Sequence, residues 1–132
     1  NMNLSKPVSH GMIAMGYIAK QAKGYWVSAE EISKTFDLPK EFLQKIMNQY
    51  VRAGILQAKR GLQGGFSLAK PAKEISLLEI IEAVEGPLKH SYGIAEQIKK
   101  QKMAVNMDEI CNKAADQGRA ILKKAKLSDL VK

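Results

Sequence analysis

Three times in this chain a small polar residue stands three positions before a glutamate, with an aliphatic residue on either side of the pair. The three runs are Ser28-Ala29-Glu30-Glu31 between Val27 and Ile32, Ser76-Leu77-Leu78-Glu79 between Ile75 and Ile80, and Asn106-Met107-Asp108-Glu109 between Val105 and Ile110. Each combines a capping box, in which side chain and backbone N–H satisfy one another across the first turn, with a hydrophobic staple that fixes the entry of the chain. The repetition predicts three helix starts and commits the chain to a helical architecture. A fourth start is predicted at Leu38-Pro39, because proline suits a first turn whose N–H would have no partner. That helix runs to about Arg52, with Gly54 placed for a left-handed cap. Its residues Leu43, Ile46, Met47, Tyr50 and Val51 define one buried face. Val8 to about Gln21 is helical by period, and Gly86-Pro87 ends the Ser76 helix.

Between Gly54 and Pro71 the period changes. Ile55–Lys59 and Phe66–Ala69 are short strand-like runs around the glycine-rich tip Arg60-Gly61-Leu62-Gln63-Gly64-Gly65. Three helices, a hairpin and further helices make a mainly α chain with the order of a winged helix-turn-helix (α/β wing) and a long C-terminal dimerisation helix. The expected division is a DNA-binding domain over 2–87 and a connecting segment with dimerisation helix over 88–132.

With 132 residues, 45% apolar and 26% charged, the chain has one domain's worth of globular sequence, which excludes a disordered or collagen-like class. Cys111 is the only cysteine, so no intramolecular disulfide and no multi-cysteine metal site can form within one chain. No apolar run has the roughly 18 residues of a membrane span, and the polar N-terminus has no signal-peptide core. The expectation is a cytoplasmic protein with no membrane partner. No nucleophile–base pair, paired-carboxylate motif or metal cluster stands out, so no enzyme and no cofactor are expected.

Net charge is +8, and it is uneven: Ser5–Ile75 holds eleven basic residues against five acidic, Ser76–Lys132 ten against eight. The first half therefore offers a surface for a polyanion. In a helix-turn-helix the second helix enters the major groove, roughly 12 Å wide, with residues of its N-terminal half at the base edges. Here those are Lys40, Glu41, Gln44, Lys45 and Asn48. Gln44 can bond adenine in bidentate fashion, and Lys45 can donate to guanine or phosphate. Any amphipathic helix has such a wet face, so this feature alone does not decide. Lys59 and Arg60 beside three glycines suit a narrow minor groove, although an ordinary flexible hairpin would look similar. Ser28, Gln63, Gly64 and Gly65 complete the candidate DNA-contact set.

Leu38-Pro39-Lys40-Glu41-Phe42-Leu43-Gln44-Lys45, Arg52-Ala53-Gly54-Ile55-Leu56, and Arg60 through Pro71 resemble the Rrf family of bacterial winged-helix transcription regulators. Glu74 through Pro87 continues the likeness, and Leu127-Ser128-Asp129-Leu130 resembles the family's closing motif. The resemblance implies a homodimer on a palindromic operator in double-stranded DNA, with the Pro39 helix in the major groove and the Arg60–Phe66 wing in the adjacent minor groove. It also brings a departure. Many relatives hold an iron–sulfur cluster with three cysteines after the Gly-Pro turn, whereas Leu88 to Ile110 has none. Register against the closing motif puts Cys111 within the last helix, at a position usually filled by a large apolar residue.

Met107, Ile110, Cys111, Ala114, Ala115, Gly118, Ile121, Leu122 and Ala125 form one stripe, about 28 Å long at 1.5 Å per residue. The stripe predicts a dimerisation face with Cys111 as a buried small hydrophobe at its centre. Two alternatives stay open: a thiol-based redox sensor through Cys111, and a winged-helix module for protein–protein contact. His90 is a second candidate sensor residue, lining a pocket for a small-molecule effector where relatives have a cluster. Ile94 and Ile98 between Ser91 and Lys102 suggest a short amphipathic helix there.

Overall fold

The computed structural model describes residues 4–88 and 101–132. His90 and the amphipathic segment at 91–100 lie outside the described residues. Helix α1 (Lys6–Lys20) begins at Ser5, whose hydroxyl accepts from the Val8 N–H at 3.4 Å. Helices α2 (Ala29–Phe36) and α3 (Lys40–Arg52) follow, joined by Asp37 in the left-handed conformation. Strands β1 (Leu56–Lys59) and β2 (Gly65–Leu68) form an antiparallel hairpin with Leu56 opposite Leu68 and Lys59 opposite Gly65. A 3₁₀ turn at Ala72–Glu74 leads to α4 (Leu77–Glu85), then come α5 (Lys102–Lys124) and the single turn α6 (Leu127–Leu130).

The Ser76 box forms as expected: the Ser76 hydroxyl accepts from the Glu79 N–H, and the Glu79 carboxylate accepts from the Ser76 N–H, both at 3.0 Å. At Ser28 only half of the box forms. Its hydroxyl accepts from the Glu31 N–H at 3.0 Å, but the Glu31 carboxylate is taken by the Tyr17 hydroxyl at 2.5 Å and the Tyr25 hydroxyl at 2.8 Å. Accepting groups beside them keep both phenols protonated to higher pH than usual, the Glu31 hydrogen bond being the main cause. The third box is corrected. Asn106 is interior to α5, which starts a full turn earlier at Lys102 with Gln101 as cap. Ala104 is fully buried, and an alanine with no side-chain entropy to lose carries the helix back past Asn106.

The staple residues Val27, Ile32, Ile75 and Ile80 all lie in one core with Met15, Leu43, Ile46, Met47, Tyr50 and Ile55. Burial of the Tyr50 hydroxyl against α1 pushes its titration far above the ordinary range. Leu127 of α6 is fully buried in the same core. The chain is tied back there by two backbone hydrogen bonds, Leu127 N–H to the Ile75 carbonyl at 2.8 Å and Leu77 N–H to the Ala125 carbonyl at 2.9 Å. The C-terminal end thus shares the core of the first half.

Helix α5 spans about 35 Å at 1.5 Å per residue and is fastened to α4 by Arg119, whose guanidinium donates to the Glu82 carboxylate at 2.5 Å. Within the subunit its apolar stripe is covered unevenly. Cys111, Ala115, Gly118 and Leu122 are half-buried, as is Ala125, which caps the helix end. Met107, Ile110, Ala114 and Ile121 turn outward with Met103, at exposures of 50% for Met107 and 68% for both isoleucines. Cys111 is half-buried in the single subunit, and its expected burial at the centre of a seam depends on a second copy.

Candidate nucleic-acid interface

Helix α3 owes its orientation to its inner row. Leu43, Ile46, Met47 and Tyr50 are buried to within 1% exposure, so the opposite side must face solvent. That side carries Lys40, Glu41, Gln44, Lys45 and Asn48, all exposed. Gln44 and Asn48, one turn apart, are neighbours at 3.5 Å, with the Gln44 amide donating to the Asn48 oxygen. Their amide groups stand side by side, the donor–acceptor pattern that suits a base edge. No residue of this set is drawn into the core.

The hairpin is more than two strands. Val27, just ahead of the α2 cap, pairs with Phe66: the Val27 N–H donates to the Phe66 carbonyl at 2.9 Å, and the Phe66 N–H to the Val27 carbonyl at 2.7 Å. The wing is thereby fixed to the first residue of the helix-turn-helix. This contact explains one of the glycines, and the tight tip explains another. Gly65 has φ of 146°, and a Cβ there would lie 2.6 Å from the Val27 carbonyl carbon and oxygen. A Cβ at Gly64 would strike the Lys59 carbonyl oxygen. Gly65 is therefore needed to close the wing on the body of the protein, and Gly64 to close the tip on itself. Ser28, half-buried beside this junction, spends its hydroxyl on the α2 cap.

Lys59, Arg60 and Gln63 are exposed at and beside the tip. The Lys59 ammonium lies 5.6 Å from the centroid of the Trp26 ring, within cation–π range. Gly24, Tyr25, Trp26, Lys59, Gln63 and Gly64 line an open depression of about 430 Å³ between the α1–α2 loop and the wing. Trp26 was not legible as a site residue. Its only sequence signal is an aromatic ring one residue ahead of Val27, and its value depends on a strand pairing nearly forty residues away. Among the described residues Lys40, Lys45, Lys59 and Arg60 have no carboxylate partner, whereas Lys70 is held by Glu79 at 2.8 Å and Lys34 by Glu30 at 3.3 Å. Burial pushes the Glu79 carboxyl up, but Lys70 and the Ser76 cap outweigh it and hold it below the usual carboxylate range.

No metal-sized group of three or more His, Cys, Asp or Glu side chains occurs among the described residues, and none of the described helices is long and apolar enough to cross a membrane. With one cysteine and two histidines in the whole chain, the donor set does not fit an iron–sulfur cluster, which needs about four ligands.

Comparison with known proteins gives a consistent result. A model of the Rrf2 family, described as "Iron-dependent Transcriptional regulator", matches residues 4–132. A protein of Aquifex aeolicus (strain VF5), named as an HTH-type transcriptional regulator, is 33% identical over 115 residues, covering 87% of this chain and 72% of that one. The HTH-type transcriptional regulator IscR of Cereibacter sphaeroides is 37% identical over 86 residues, 64% of this chain and 56% of that one. Among solved structures, the global cysteine regulator CymR of B. subtilis superposes with a TM-score of 0.79 at 23% identity, over 99% of this chain and 97% of its own, which shows a shared fold.

Proposed function

The chain belongs to the Rrf2 family of transcriptional regulators, and we propose that it is a sequence-specific DNA-binding regulator acting as a homodimer on a palindromic operator. The observation that carries this reading is the Val27–Phe66 pairing, which ties a cationic wing to the start of a helix-turn-helix whose second helix leaves its polar face free. Lys40, Lys45, Lys59 and Arg60 supply phosphate affinity that falls with salt, while Gln44 and Asn48 choose bases in the major groove. Ser28, Glu41, Gln63, Gly64 and Gly65 frame these contacts. The outward row of α5, Met107, Ile110, Ala114 and Ile121, supplies the dimer seam, and a second copy covering it sets two reading heads about one DNA turn, roughly 34 Å, apart.

The iron dependence in the family description is not carried over, because the donor set does not fit a cluster; the regulator is proposed to work without one. Protein prepared anaerobically with iron and sulfide is expected to show no cluster absorbance in the visible range. The main test is selection of bound duplexes from random DNA. It should recover an inverted repeat, and Gln44→Ala should relax preference at one position of each half-site at a cost of about 1–3 kcal/mol. Recovery of no common sequence, or a binding constant indifferent to salt, would overturn the reading in favour of a protein-contact module.

A further inference from the structure

The wing ends in a side chain that its own fold does not use. Leu62 is 98% exposed, more than any other large apolar residue described; the next, Met103, is at 71%. The Gly64 N–H donates to the Gly61 carbonyl at 2.9 Å, closing a four-residue turn with Leu62 and Gln63 at its apex. Behind the turn the backbone of Gly64 lies close to the Lys59 carbonyl and that of Gly65 close to Val27, so that a Cβ at either position would collide. Leu62 therefore projects from a hydrogen-bonded turn at the end of a paired hairpin. Exposed on either side of it are Arg60 and Gln63, with Lys59 one residue further back.

A lone exposed leucine needs no explanation on a flat surface. At the apex of a narrow cationic finger its surroundings specify what it can meet. The partner has to be anionic at its rims, where Lys59 and Arg60 reach, and clear of protruding groups at its floor, where the leucine arrives. A minor groove over A·T pairs fits that description better than one over G·C: phosphates line both edges, and the floor, though it carries the adenine N3 and thymine O2 acceptors, lacks the protruding guanine amino group. Over G·C that amino group stands up from the floor in the way of the isobutyl side chain, and it adds a donor whose hydrogen bond to water would be lost on top of those of the acceptors present over either pair. We propose that Leu62 is a specificity-determining residue of the wing, an apolar probe that lies on the groove floor and selects A·T over G·C where the wing enters. The inference rests on the DNA-binding reading above and adds to it a residue that reads through exclusion rather than through a hydrogen bond.

The test uses full-length protein and the duplex recovered by selection, with the pairs under the wing changed from A·T to inosine·cytosine or to G·C. Inosine·cytosine keeps the minor-groove face of A·T, whereas G·C adds the amino group. Wild type should bind the A·T and inosine·cytosine duplexes within about twofold and the G·C duplex between five- and a hundredfold more weakly, the range of a single wrong base pair. Leu62→Ala should bring the three duplexes within about twofold of each other, and Leu62→Met should restore the difference. Arg60→Ala is the control for the wing itself, expected to lower affinity for all three and flatten the salt dependence. If Arg60→Ala has no effect, the wing reading fails. If Arg60→Ala acts and Leu62→Ala leaves the G·C penalty unchanged, Leu62 is not the probe. A change in the association state of the free Leu62→Ala protein in sedimentation would also overturn the proposal, placing the leucine in a protein contact.

Discussion

The wing-bearing body and helix α5 are both built on apolar residues at helical spacing, yet they dispose of them differently. In the body the periodic positions close inward: Ile32, Leu43, Ile46, Met47 and Ile80 are each within 1% of complete burial. In α5 the only buried position described is Ala104, while Met103, Ile110 and Ile121 are each at least 68% exposed. The inner row of α5 rests on α4, and the outer row is left exposed by the described residues of the subunit. Periodicity reports where a helix is apolar; it does not report who covers it. That depends on whether an element of the same chain is within reach.

This contrast can be broken by experiment. The largest effect is expected from Ile80→Ala, which should cost about 2–5 kcal/mol by leaving a cavity in a sealed core, at every protein concentration. Ile110→Ala should instead destabilise in a manner that vanishes on dilution below the association limit, where a surface substitution costs within about 0.5 kcal/mol. Denaturation over a concentration series separates the two. Equal, concentration-independent losses would mean that the outer row of α5 is covered by its own subunit.

Gly65→Ala should come next, above about 1 kcal/mol, since it adds both a strained φ and a collision with Val27. Hydrogen exchange at the Val27 and Phe66 amides would show whether the loss is local to the wing. The smallest effect belongs to the caps. Ser76→Ala should cost about 1 kcal/mol. Because the Glu79 carboxyl titrates below its ordinary range, the stability it contributes is complete above the unfolded carboxylate pKa and is lost as pH falls through the lower folded value. An acid titration of Glu79→Gln should therefore lack part of the wild-type decline. An identical pH profile would remove Glu79 from the account.

Much of this was legible in local sequence. The Ser76 box, the Pro39 start, the turn at Gly54 and the wing strands depend on residues close together in the chain, and the structure has all of them. The misses are non-local. Asn106-Met107-Asp108-Glu109 satisfies the pattern of a helix start, but the pattern cannot show that the preceding turn is anchored by Ala104. Glu31 was available to complete its own box until Tyr17, fourteen residues earlier, and Tyr25 claimed its carboxylate. At the candidate interface the exposed side of α3 followed directly from its period. The third strand residue Val27, the Trp26 ring beside Lys59 and the return of Leu127 to the first core all depend on pairings across tens of residues, which no window along the chain contains.

The pairing of Val27 with Phe66 has a mechanical consequence. Two backbone hydrogen bonds leave little play between the finger and the scaffold of the reading helix, so the pair behaves as a caliper whose jaws are set before it closes on anything. On the proposed reading the base of the finger needs no ordering at the moment of contact, and part of any mismatch in pitch or groove width falls to the duplex.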